Sequence, residues 1–156
     1  MYNGLATDTQ QVFYLKKEGY DDLKLGLAEV IRRTNEVQNI LARNFREGIT
    51  GNELLRVSLE DAKVKGLEAA IYSHPVGYHG HGAGPVIGLW NNQDRISGAG
   101  DLKIRNMTCF AMELNCRTRL SLWDEQNVYG FLEETVAFTD NEIDYLDGRQ
   151  KELFLI

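Results

Sequence analysis

The chain has 156 residues, 43% of them apolar and 26% charged, with a formal net charge of −6. That length suits one compact domain with a real core and is short for two. The acidic balance without any Lys/Arg-rich run argues against a nucleic-acid partner, no apolar run approaches the roughly 18 residues of a membrane span, and the N-terminus lacks the pattern of a secretory signal.

Residues 4–15 (GLATDTQQVFYL) carry β-branched and aromatic side chains with little helical periodicity. They read as a strand, one arm of a hairpin around the preceding YNG. In 19–48 the residues Leu23, Leu27, Val30, Ile31, Val37, Ile40 and Leu41 recur at steps of three and four, which predicts a long amphipathic helix ending near Gly48. Thr50 followed by Glu53 is a capping-box pattern and opens a second helix through Lys65, stopped by Gly66.

Beyond residue 67 the character changes. EAAIYSH (68–74) is a short strand. GLWNNQDRISGAGDLKIRN (88–106) is polar and turn-rich, a surface loop. MTCFAMELNCR, RLSLWDE and NVYGFLEETVAFTD read as three strands of an antiparallel meander, with turns at Arg117–Thr118 and Glu125–Asn127. DGRQKELFLI (147–156) reads as a closing helical turn. Cys109 and Cys116 are separated by an odd number of positions in a strand, so they face opposite ways and do not pair. Buried free thiols suit a reducing compartment, and the expected location is cytoplasmic. The order of elements predicts an α+β fold in a single domain, 1–156, with two long helices on one face of a curved antiparallel sheet.

Polar groups stand where the strands are otherwise apolar. Asp8 lies in the first strand, Glu113 interrupts CFAMELNC, Glu133 interrupts YGFLEETVAF, and His81 sits in the glycine-rich YHGHGAGPVIGLW. Burying one unpaired carboxylate costs several kcal/mol. A divalent cation compensates three carboxylates and an imidazole economically, with Arg or Lys partners as the alternative. A lone strand glutamate usually faces solvent; the co-occurrence is what points to metal. In an extended segment His79 and His81 share a face, so both are candidate ligands, or one ligates while the other supports it by hydrogen bonding. His74, before Pro75, reads as a turn or supporting residue. The glycines are not a phosphate loop, since no Lys-Ser/Thr follows and no helix is predicted after them. They allow close backbone approach beside the site.

GHGAG (80–84), FAMELN (110–115) and FLEETVAFTDNEIDYLDGRQ (131–150), in this order and spacing, resemble the C-terminal part of the creatinase/aminopeptidase P/methionine aminopeptidase superfamily, the M24 "pita-bread" metallopeptidases. YNGLATDTQQVFYL and FREGITGNEL extend the likeness over the whole chain, and the closing DGRQKELFLI is most similar to the Xaa-Pro dipeptidase (prolidase) branch. The resemblance implies a partial pita-bread fold and the metal ligands Asp8, His81, Glu113 and Glu133. It implies Mn²⁺, Co²⁺ or Zn²⁺ as cofactor, with a proline-containing peptide as substrate. Glu113 is then the proton shuttle and, with His79, a candidate catalytic residue.

The departures from the family pattern are as informative. Its first metal aspartate would precede Met1, so the chain reads as the C-terminal portion of a catalytic domain, an impaired form with a single metal site. Gly88 and Gly77 stand where further histidines are common, and Phe131 where an arginine is common. These departures favour a rival, a non-catalytic pita-bread module used for binding. A weaker third reading is a cupin-like barrel using His79-x-His81. A half-sheet of this kind leaves strand edges and apolar surface uncovered, so a homodimer is expected.

Overall fold

The computed structural model describes residues 6–16, 18–19 and 23–156, with the side chains of 23–25 left aside. Its elements in chain order are strand β1 (Phe13–Tyr14), helices α1 (Leu23–Asn44) and α2 (Gly51–Val64), then strands β2 (Glu68–Pro75), β3 (Thr108–Leu120), β4 (Gln126–Thr139), β5 (Glu142–Tyr145) and β6 (Phe154–Leu155). β2, β3, β4 and β5 form one antiparallel sheet in that order, and β1 pairs with β6 in parallel. This is the predicted α+β arrangement. An open four-stranded sheet backed by two helices excludes the cupin-like barrel.

The helices form for the reasons their sequences suggest. Val30, Ile31, Val37, Ile40 and Leu41 are buried along one stripe of α1. α2 starts at Thr50, whose hydroxyl accepts from the Glu53 N–H at 3.2 Å. Both helices cover the sheet face formed by Ile71 of β2, Phe110, Met112 and Leu114 of β3, and Val136 and Phe138 of β4. Period-two alternation then sends Tyr72, His74, Glu113 and Glu133 to the opposite face. Cys109 and Cys116 are unpaired, on opposite faces as expected.

Four sequence expectations need correction. The strand at 4–15 is reduced to β1 and a bridge between Gln10 and Glu133; the hairpin around YNG falls outside the described residues. The turn at Arg117–Thr118 does not exist, because Cys116, Thr118 and Leu120 continue the buried alternation and β3 runs unbroken to Leu120. RLSLWDE is the end of that strand plus a 3-10 turn at Ser121–Trp123, and the reversal is completed by Asp124 and Glu125 at φ of 49° and 59°. Residues 147–156 hold no helical turn; the segment is irregular up to Phe154–Leu155, which pair as β6 with β1. β5 was not expected at all. It follows a two-residue turn in which Asp140 and Asn141 both take positive φ, the conformation that Asp and Asn tolerate best after Gly.

The edge of β2 is covered from within the chain. After Pro75 the chain loops out through the glycine run and returns, so that Ile87 exchanges two backbone hydrogen bonds with Ser73, at 2.9 and 2.8 Å. The Gln93 side chain bonds both the N–H and the C=O of Ile71. An edge paired this way offers no open template to another strand.

Candidate metal centre

The sheet register builds the site. Tyr72, Glu113 and Glu133 are direct partners across β2, β3 and β4, so their side chains stand in one row on the open face. His74 lies two residues beyond Tyr72 and shares that face. Glu134, next in the chain, faces the helices instead. It accepts from Gln38 and from the Gln150 N–H, and Arg149 in turn bonds Gln38, Asn39 and the Asn35 carbonyl, pinning α1. Adjacent glutamates therefore do unrelated jobs.

Asp8 comes from outside the four-stranded sheet. Its N–H donates to Thr135 Oγ1 at 2.8 Å and Thr135 donates back to the Asp8 carbonyl at 2.9 Å, while the Gln10–Glu133 bridge holds the same segment against β4. His81 arrives from above on the glycine loop. Gly80 passes over Asp8 so closely that a Cβ there would lie 3.7 Å from Oδ2. The His81 ring stacks on His74 at 4.0 Å between centroids and 10° between planes.

Two sets of ligand atoms result, each with all members within 4.8 Å: Asp8, His74 and His81; and His74, Glu113 and Glu133. The four sequence-derived ligand candidates are divided between these two sets, Asp8 and His81 in one and Glu113 and Glu133 in the other, with His74 common to both. His79 joins neither set; it is exposed at the loop tip, edge-on to Tyr78 at 4.8 Å. Three contributors escaped sequence reasoning: His74 as a central group, Trp90, whose indole helps hold down the Glu113 pKa, and Thr135, which holds Asp8.

The cluster is electrostatically costly on its own. Glu133 is 7% exposed, and burial, followed by the charges of Glu113 and Asp8 and a hydrogen bond to Asp8, pushes its pKa up to about 8. Burial and then Asp8 also raise Glu113, against the Trp90 hydrogen bond. Burial lowers His74, favouring its neutral form. The set fits a divalent cation. Its donors are mixed oxygen and nitrogen, and an ion with bonds of about 2.1 Å closes such spacings with small side-chain movements. His74 Nε2 is also buried without a hydrogen-bond partner.

Space flanks the cluster on both sides. A pocket of about 460 Å³ is lined by Trp90, Asn115, Tyr129 and Phe131. The aromatic rings continue edge to edge from Tyr72 through Trp90 to Phe131. Opposite lies a groove of about 610 Å³ between Ala6, Val76, Tyr78, Cys109 and Leu146.

No protein-family model matches the sequence, and no curated protein does. Solved structures do. The chain superposes on an X-Pro aminopeptidase from Thermotoga maritima with a TM-score of 0.66 at 20% identity, covering 98% of this chain and 38% of that one. It superposes on an Xaa-Pro dipeptidase from Bacillus anthracis with a TM-score of 0.65 at 16% identity, again over 98% and 38%. The N-terminal domain of the FACT complex subunit SPT16 from Eremothecium gossypii matches with a TM-score of 0.64 at 16% identity, over 98% of this chain and 34% of that one. Over the part it covers, the chain shares the pita-bread fold of these structures. It spans about 38% of the length of the first two structures. Among the described residues no helix is long and apolar enough to cross a membrane.

Proposed function

We propose that this chain is the metal-binding, C-terminal portion of the catalytic domain of a metal-dependent Xaa-Pro peptidase, acting on proline-containing peptides in the cytoplasm. The observation that carries this reading is the placing of Asp8 and His81, and of Glu113 and Glu133, in two ligand sets that share the buried His74, between two open pockets. Asp8, His81, Glu113 and Glu133 would hold Mn²⁺, Co²⁺ or Zn²⁺. Bound there, the cation supplies Lewis-acid polarisation of the scissile carbonyl. Glu113, half-buried, takes a proton from the attacking water and returns it to the leaving amine. The aromatic shelf of Trp90, Phe131 and Tyr129 seats an apolar flank of the peptide, and exposed His79 meets the peptide rather than the ion.

Titration with Mn²⁺, Co²⁺ and Zn²⁺, followed by assay on an Xaa-Pro dipeptide, tests this. The expected result is one bound equivalent, weakened in His81→Ala, with hydrolysis that depends on it. Two equally tight sites, or metal retention unchanged in His81→Ala, would overturn it. The second reading is a binding module without catalysis, favoured by the likeness to a domain of the FACT complex subunit and by Gly88 and Phe131. It predicts peptide or protein binding with neither metal uptake nor hydrolysis.

The proposal includes a homodimer. Phe13, Leu15, Phe154, Leu155 and Ile156 are exposed together around the β1–β6 pair. Light scattering at micromolar concentration should give twice the chain mass of 17.7 kDa. A monodisperse monomer that binds no apolar dye would count against it.

A further inference from the structure

We propose that His74 is itself a cation ligand of this centre, its Nε2 being the nitrogen shared by both halves of the carboxylate cluster. The inference rests on the metal-site reading above and adds a ligand outside the Asp8, His81, Glu113 and Glu133 set.

Position is the first argument. Among the described residues, His74 alone belongs to both sets of convergent ligand atoms, with Asp8 and His81 on one side and Glu113 and Glu133 on the other. It sits on β2, paired with Ala111 of the central strand β3, and is 3% exposed. His81, by contrast, is exposed and comes from a loop.

Hydrogen bonding is the second. His74 Nδ1 lies 3.1 Å from the Pro75 carbonyl oxygen, which can only accept. The Nδ1 proton is therefore fixed there, and in the neutral ring Nε2 carries a lone pair. That Nε2 is buried and has no hydrogen-bond partner. The nearest charged atom is Asp8 Oδ2 at 4.0 Å, beyond a hydrogen bond. A lone pair held among carboxylate oxygens is repelled by them unless something positive lies between. A divalent cation serves both the lone pair and the carboxylates. The His81 ring, stacked flat on His74, shields this nitrogen from water.

The test uses the whole chain with Co²⁺ and Zn²⁺. Cobalt reports ligand identity through its visible absorption. His74→Gln should lower Co²⁺ affinity by about 100-fold, at the upper end of what supporting residues achieve, and alter the band pattern. Circular dichroism and a thermal melt establish that the variant is folded. A measurement on unaltered protein removes the dependence on that variant: with ¹⁵N-labelled histidine, saturating Zn²⁺ should move the His74 Nε2 resonance to the metal-bound position. A His74→Gln protein with wild-type Co²⁺ affinity and spectrum, or a Zn²⁺ titration that moves His81 and leaves His74 in place, would overturn the inference while leaving the metal site intact. If the wild-type chain takes up neither ion, the metal-site reading fails and this inference with it.

Discussion

Replacing Gly88 by histidine, the residue common at that position in the resembling family, should destabilise the fold strongly. Gly88 has φ of 75°, and a Cβ there would lie 1.9 Å from the Ile71 carbonyl oxygen, with Leu55 Cδ1 at 3.1 Å. The oxygen belongs to β2 and the return strand is bonded to it one residue away, at Ser73–Ile87. Neither backbone can yield without giving up those bonds. Left-handed strain costs about 1–3 kcal/mol, and forced overpacking about as much again. A loss of about 3–5 kcal/mol takes a large share of a typical stability of about 5–15 kcal/mol. At about 2–4 °C per kcal/mol, melting should drop by roughly 6–20 °C. Gly88→Ala should already show most of it. A Gly88→His protein that melts with the wild type would show that the return strand is not packed as described. Gly77 is similar: a Cβ there would meet Gly82 Cα and the His81 carbonyl oxygen, both at 2.7 Å. Both departures from the family pattern thus have a steric cause.

The cation-free protein should lose stability as pH rises from about 4.5 towards 8. Glu133 has an ordinary value of 4.5 and stands at about 8 in the folded chain. Below 4.5 both states are protonated and nothing changes. Above it the unfolded chain releases the proton while the native state keeps it, so the native state binds more protons and each pH unit costs up to about 1.4 kcal/mol. Above 8 both states are ionised and the loss levels off. Access of water through the flanking pockets limits the total to a few kcal/mol. Glu113, itself raised by burial and by Asp8, adds to the charge that raises Glu133 and broadens the fall. Mn²⁺ should restore the lost stability at pH 8, since an ion that binds only the folded site stabilises it by mass action. Glu133→Gln should flatten the profile and abolish the Mn²⁺ effect. Melts that stay level across this range and ignore Mn²⁺ would refute the account.

What could be read from the residues follows from the range of the forces involved. The two helices were legible because their apolar spacing and the Thr50 cap are local. Glu113 and Glu133 were legible because each breaks an apolar strand. The β3 turn was misplaced because Arg117, Thr118 and Arg119 look like turn residues. Only the pairing with Tyr129, Val128 and Asn127 reveals a strand with one face outward. His74 was undervalued for a similar reason. A histidine before proline looks like a turn residue, yet Pro75 stands at the end of β2, where its missing N–H costs no ladder bond. The β1–β6 pair depends on partners at opposite ends of the chain, and no local pattern announces it.

That pairing has a consequence for how the protein is made. The Gln150 side chain donates to the Val12 carbonyl and accepts from the Val12 N–H at 2.8 Å, across 138 positions of sequence. The segment carrying Asp8 is thereby tied to residues synthesised at the other end of the chain. On a ribosome, α1, α2 and the first sheet strands can collapse while this segment still lacks its anchor. Contacts of such long range also close slowly, because the loop entropy is spent before any bond is formed. Asp8 should therefore dock last, after Gln150 has left the exit tunnel, and a nascent chain would bind metal only from that point on.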